Sequence, residues 1–210
     1  MIVPTLLRLD IVFEAVSFVF SFMIASIAFL AWRRVGARSL FLFSLGFYLM
    51  AAAMIARVIL VSWAFTASTP TPPLRLLPLL LLQVQEFVYS VVRLSAYVVF
   101  LYLYAAYPLK KNSGAALLAP VSFIYNPLFE ALSAVMLMFV VYQLLKVSGE
   151  NRSSYVLIAF SLLLVSHLLF LLTPLSILLY LVAHFVQMVS LAFFLTAVLL
   201  VLMHGERLSF

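Results

Sequence analysis

Several windows of about 20 residues in this chain carry no full charge, and that feature limits the possible folds more than any other. A helix crossing roughly 30 Å of hydrocarbon needs about 20 apolar residues. Of the 210 residues 68% are hydrophobic and only 9% are charged, against roughly 25% charged in soluble domains. A soluble fold of this size has too little interior to hide so much apolar surface. The expected fold is all-α, a polytopic integral membrane helical bundle whose first partner is the lipid bilayer.

The candidate spans are Ile11–Trp32, Leu40–Phe65, Leu77–Tyr107, Leu128–Lys146, Ser154–Leu172 and Ile177–Met203. A further apolar segment, Gly114–Tyr125, is short. Breaks fall where Pro and small polar residues gather: the Thr66–Pro73 stretch, Tyr125-Asn126-Pro127, and a tight hairpin at Thr173-Pro174-Leu175-Ser176. Arg8 and Asp10 precede an apolar run reaching Trp32, too long for the core of a signal peptide, so this segment is expected to remain as the first span.

Charge placement distinguishes two topologies. With six spans, Arg33, Arg34, Arg38, Lys110 and Lys111 face one side, and Arg8, Arg75, Lys146, Arg152 and Arg207 face the other. That balance gives no orientation. If Gly114–Tyr125 also crosses, Arg33, Arg34, Arg38, Lys110, Lys111, Lys146, Arg152 and Arg207 share one side, leaving only Arg8 and Arg75 opposite. The positive-inside bias then favours seven spans in the cell membrane, N-terminus outside and C-terminus cytoplasmic. The alternative is six spans plus a short re-entrant or interfacial segment, because 12–14 residues reach only ~20 Å as a helix.

An internal repeat is expected as well. Pro4, Asp10, Phe13-Glu14-Ala15 and Ser17 recur at a constant offset as Pro120, Asn126, Phe129-Glu130-Ala131 and Ser133. Phe43-Ser44 recurs one residue out of step as Phe160-Ser161, and Glu86-Phe87-Val88 aligns with His184-Phe185-Val186. The reading is 3+1+3: a first three-helix repeat over 1–112, a short linker span over 113–127, and a second repeat over 128–210. Three spans plus one place both copies in the same orientation, a tandem parallel repeat. In topology alone this layout is similar to that of the SWEET sugar transporters. The Pro-Gln dipeptide that marks that family does not occur in the chain, and no family is assigned.

Ionisable residues inside spans cost roughly 2.5–3.5 kcal/mol each on insertion scales and face the bundle interior or a cavity, so they are the first site candidates. They are Glu14, Arg57, Glu86, Arg93, Glu130, His167 and His184. Glu86, Ser90, Arg93 and Tyr97 follow the spacing that keeps residues on one helical face, and Tyr180, His184 and Gln187 form a stripe in the last span. His167 and His184 flank the Thr173–Ser176 hairpin symmetrically and are expected at equal depth. The structural alternative is that Arg57 pairs with Glu86, and Arg93 with Glu14 or Glu130, to fix helix register. Glu14 and Glu130 would also favour the helix dipole near a helix N-terminus.

Three functional readings follow. The first is a small-ligand binding or transport site on the outer side between the repeats, where Arg57 and Arg93 would hold an anionic or lipophilic ligand and Glu14, Glu86 and Glu130 would carry protons. Five glycines in the whole chain weigh against broken transporter helices. The second is a redox membrane anchor with His167 and His184 as ligands of a b-type haem, or a quinone site; otherwise no cofactor is expected. The third is a sensor or an assembly subunit held among other membrane subunits. The absence of cysteine excludes disulfides, iron–sulfur clusters and thiol nucleophiles. No G-x-S-x-G, H-E-x-x-H or phosphate-cradling glycine loop occurs, so catalysis is the least supported class. The net charge of +6 lies in short loops between spans and is read as orientation, not as a nucleic-acid surface.

Overall fold

The computed structural model describes residues 2–66, 76–105, 127–147 and 154–204. Six helices account for nearly all of them: α1 (Ile2–Val35), α2 (Arg38–Thr66), α3 (Leu76–Ala105), α4 (Pro127–Val147), α5 (Ser154–Leu171) and α6 (Ile177–His204). All six are long and apolar enough to cross a membrane. Six such helices support a multi-pass membrane protein. The outer surface fits that solvent, with Val12, Ile59, Tyr102, Phe139 and Leu145 all exposed, a distribution that would form large sticky patches in water. The expected short span, Gly114–Tyr125, lies outside the described residues.

Two of the joints show how local chemistry ends the helices. At the end of α1, Gly36 adopts φ 73°, the left-handed conformation that glycine takes without a Cβ clash. Its N–H donates to Trp32 O at 2.7 Å, which closes α1 with an αL cap. Arg33 and Arg34 in that last turn also suit the negative end of the helix dipole. Between α5 and α6, a 3-10 turn at Thr173–Leu175 carries a proline near its start, and Ser176 is extended. Ser176 Oγ accepts the Leu178 N–H at 3.3 Å, an N-cap for α6.

The helices pack in chain order, α1 on α2, α2 on α3, α3 on α4, α4 on α5 and α5 on α6, and α6 closes the ring on α1. Their directions follow from specific contacts. Ser44 Oγ donates to Ala25 O and Arg57 reaches Glu14, so α1 and α2 are antiparallel. Phe43 meets Phe100 while Arg57 meets Glu86, which makes α2 and α3 antiparallel. Tyr97 meets His167 and Tyr104 meets Phe160, so α5 runs against α3. Ser190 Oγ donates to Ala159 O while Phe170 touches Tyr180, so α6 runs against α5. Near the start of α4, Phe129 meets Phe87 and Glu130 meets both Arg93 and His167, whereas its far end leads within a few residues to the start of α5. Helix α4 therefore runs in the same direction as α3. Phe13 stacks on His184 near the starts of α1 and α6, and Ala31 packs with Val201 near their ends. Helices α1, α3, α4 and α6 run one way, α2 and α5 the other.

One half of the ring is filled with aromatic rings. Phe43, Phe47, Phe100, Phe160 and Phe194 are all 0% exposed. Their neighbouring centroids lie 4.6 Å (Phe160–Phe194) to 5.8 Å (Phe43–Phe100) apart, the range in which tilted and edge-on aromatic pairs attract. Gly46 makes room for this cluster: a Cβ there would fall 2.7 Å from Phe100 Cζ. The opposite half, where α1, α3, α4 and α6 begin, carries the charges that lie within the bundle, Glu14, Arg57, Glu86, Arg93 and Glu130.

Candidate functional site

Each of the six helices contributes to one polar cluster in that second half. On α1, Glu14 is 2% exposed. Arg57, near the end of α2, donates through Nη1 to Glu14 Oε1 and lies 3.0 Å from Glu86 Oε1 through Nη2. Tyr89 donates its O–H to Glu14 Oε1 at 3.2 Å. This first group thus ties α1, α2 and α3 together.

A second group ties α3, α4 and α5. Arg93 pairs with Glu130 Oε1, Glu130 Oε2 lies 2.6 Å from His167 Nδ1, and His167 Nε2 lies 2.6 Å from Tyr97 Oη. The arrangement that gives Tyr97, His167 and Glu130 each a partner has Tyr97 O–H donating to Nε2 and Nδ1–H donating to Glu130. His167 carries no charge in it. Tyr89 joins the two groups, because the guanidinium carbons of Arg57 and Arg93 each lie 4.9 Å from its ring centroid, within cation–π range.

Between these groups lies a cavity of about 150 Å³, lined by Glu14, Arg57, Glu86, Tyr89, Arg93, Glu130, Phe170, Tyr180 and His184. The Glu86 side chain is 44% exposed and forms its mouth. His184 completes one wall in an aromatic stack, 5.4 Å from Phe13, 4.9 Å from Phe170 and 4.6 Å from Tyr180 between centroids. Two buried polar atoms of wall residues, Glu14 Oε2 and Arg93 Nε, have no hydrogen-bond partner among the described residues. Leaving such an atom dry and unpaired costs about 1–3 kcal/mol, and more when it is charged.

Of the residues singled out from sequence, Glu14, Arg57, Glu86, Arg93, Glu130, Tyr180 and His184 line the cavity. Tyr97 and His167 stand behind Glu130, while Ser90 and Gln187 are buried outside the walls. Tyr89 and Phe170 were not anticipated. Tyr89 is three residues from Glu86 and four from Arg93, so the helical spacing that selected Ser90 admits Tyr89 equally. No sequence signal points to Phe170, whose place depends on how α5 turns against α6. His167 has both ring nitrogens engaged, so an axial bond to haem iron would require breaking its contact with Tyr97 or Glu130. Phe170 also stands against both histidines, 6.2 Å from the His167 ring and 4.9 Å from that of His184.

Comparisons with protein-family models, curated proteins and solved structures give no match to this chain. Function is therefore argued from the site.

Proposed function

We propose that this chain is a seven-span membrane protein that binds a small ligand, and carries it, at an outward-side site between two three-helix repeats. The observation behind this reading is the convergence of ionisable side chains from α1, α2, α3 and α4, with aromatic walls from α5 and α6, on a cavity that stays open at about 150 Å³. The ion pairs themselves are closed, Arg57 on Glu14 and Glu86 and Arg93 on Glu130, as pairs that fix helix register are; the space left between them is what goes beyond that role. A space of this size in a protein interior accepts a molecule as large as benzene.

The seven-span count is supported by the like direction of α3 and α4. Two consecutive helices that run the same way, α3 ending at Ala105 and α4 beginning at Pro127, call for an odd number of crossings between them, which agrees with the span expected at Gly114–Tyr125. The positive-inside distribution then places the cavity toward the outside. The two parallel seams, α3 on α4 and α6 on α1, are those that a parallel repeat of three helices generates.

The chain has no cysteine, which makes topology directly measurable. Cysteines introduced at Asn112 and at Gly149 should both be labelled only from the cytoplasmic side. Labelling from opposite sides would return the count to six spans. For the ligand site, purified protein in liposomes is to be offered a panel of radiolabelled solutes of up to about ten heavy atoms, cationic, neutral and anionic. At least one solute should cross faster than in empty liposomes, with flux cut at least tenfold by Arg93→Ala or Glu86→Gln. Flux unaltered by both substitutions, or no flux at all together with no binding, sinks the reading.

A further inference from the structure

We infer that the ligand of this cavity is a small organic ammonium ion, held by the unpartnered carboxylate oxygen of Glu14 with its hydrocarbon part against Phe170 and Tyr180. The inference rests on the reading of the cavity as a ligand site. It reverses the anionic ligand expected from the arginines alone.

The charge balance decides the sign. Three carboxylates, Glu14, Glu86 and Glu130, line the space with two guanidiniums, Arg57 and Arg93, and His167 is neutral in the arrangement that satisfies its neighbours. Counted over the described residues, the cluster is one negative charge in excess. Both guanidiniums already hold carboxylates, Arg57 with Glu14 and Glu86 and Arg93 with Glu130. An anion would have to displace one of these bonds and would add to an excess that is already negative, whereas the more deeply buried members alone, Glu14 and Glu130 with Arg57 and Arg93, balance. A cation cancels the excess.

The unpartnered acceptor agrees with the charges, while Arg93 Nε, the unpartnered donor of the same wall, calls for an acceptor beside the ammonium group. Glu14 is 2% exposed, and its Oε2 has no partner among the described residues. A carboxylate oxygen can only accept, so the missing partner is a donor. An N–H of an ammonium ion gives the stronger, charge-assisted bond. The rest of the wall suits an apolar body, because Phe170, Tyr180 and His184 present rings at centroid separations of 4.6 to 5.8 Å. Cations are drawn to such faces. A bare metal ion would leave that aromatic wall unused, and the volume holds about six heavy atoms by comparison with benzene.

The test uses three probes of matched length, butylammonium, butan-1-ol and butyrate, titrated calorimetrically into the full chain in lipid nanodiscs, with empty nanodiscs subtracted. Butylammonium should bind at least tenfold more tightly than either of the others. Glu14→Gln, which keeps the side-chain shape and the oxygen bonded to Arg57 and Tyr89, should weaken butylammonium at least tenfold and leave butan-1-ol within twofold. If that variant fails to fold, the ranking of the three probes on the native chain still decides. Butyrate or butan-1-ol binding as tightly as butylammonium overturns the inference while preserving a ligand site. Absence of binding by all three at 10 mM also overturns it, and the liposome panel then shows separately whether the broader reading stands.

Discussion

Removing the positive member of the Arg93–Glu130 pair is the most demanding test of how this site is held. Arg93 is 5% exposed, and its partner also accepts from His167. Two unit charges about 4 Å apart attract by roughly 4 kcal/mol at an effective dielectric near 20. Deleting one member of a buried pair costs about 3–5 kcal/mol, because the other is left uncompensated. In Arg93→Met the cluster passes from one excess negative charge to two. Adding Glu130→Gln brings it back to one, and the amide oxygen of Gln can still accept the His167 Nδ1–H. The expected loss is thus about 3–5 kcal/mol for Arg93→Met alone, with at least ~2 kcal/mol of it recovered in the double variant. Reversible unfolding by SDS in mixed micelles, followed for the native chain, both single variants and the double, measures this directly. Additive losses, within about 0.5 kcal/mol, would refute the account of a coupled buried pair and with it the charge balance used above.

Four smaller perturbations probe the rest of the bundle. Gly46→Ala pushes a Cβ against Phe100 and should cost about 1–3 kcal/mol, measured by the same unfolding assay; Phe100→Leu in the same chain should recover at least half. Tyr97→Phe removes the donor to His167 Nε2 and should cost about 1–3 kcal/mol by leaving a buried imidazole nitrogen unpaired. Ser44→Ala and Ser190→Ala each break a cross-helix bond to a carbonyl, at 2.9 and 2.8 Å, and should cost ~0.6–1.7 kcal/mol each. Ser17→Ala and Ser133→Ala remove buried hydroxyls that have no partner among the described residues and should raise stability, by up to about 1–3 kcal/mol each.

Hydrophobicity alone made the helices legible. The six expected spans overlap the six observed helices because a bilayer requires about 20 apolar residues of each, and because breaks such as Thr173–Ser176 use residues that cannot continue a helix. The cost of placing charge in hydrocarbon likewise made Glu14, Arg57, Glu86, Arg93 and Glu130 conspicuous before any fold was known. Which acid meets which base was open, since Arg93 had Glu14 and Glu130 as equally plausible partners in depth. Only the packing of α4 against α3 gave Arg93 to Glu130, and that of α2 against α1 gave Arg57 to Glu14. Tyr89 meets Arg93, and Phe170 meets His167, within single helices at spacings periodicity reports, whereas Tyr89 on Arg57 and Phe170 on His184 depend on how consecutive helices turn against one another. Sequence determined that charges are buried and on which helices, because that follows from the solvent. Tertiary structure decided their pairing and the net charge around the cavity, because both depend on which helices are neighbours.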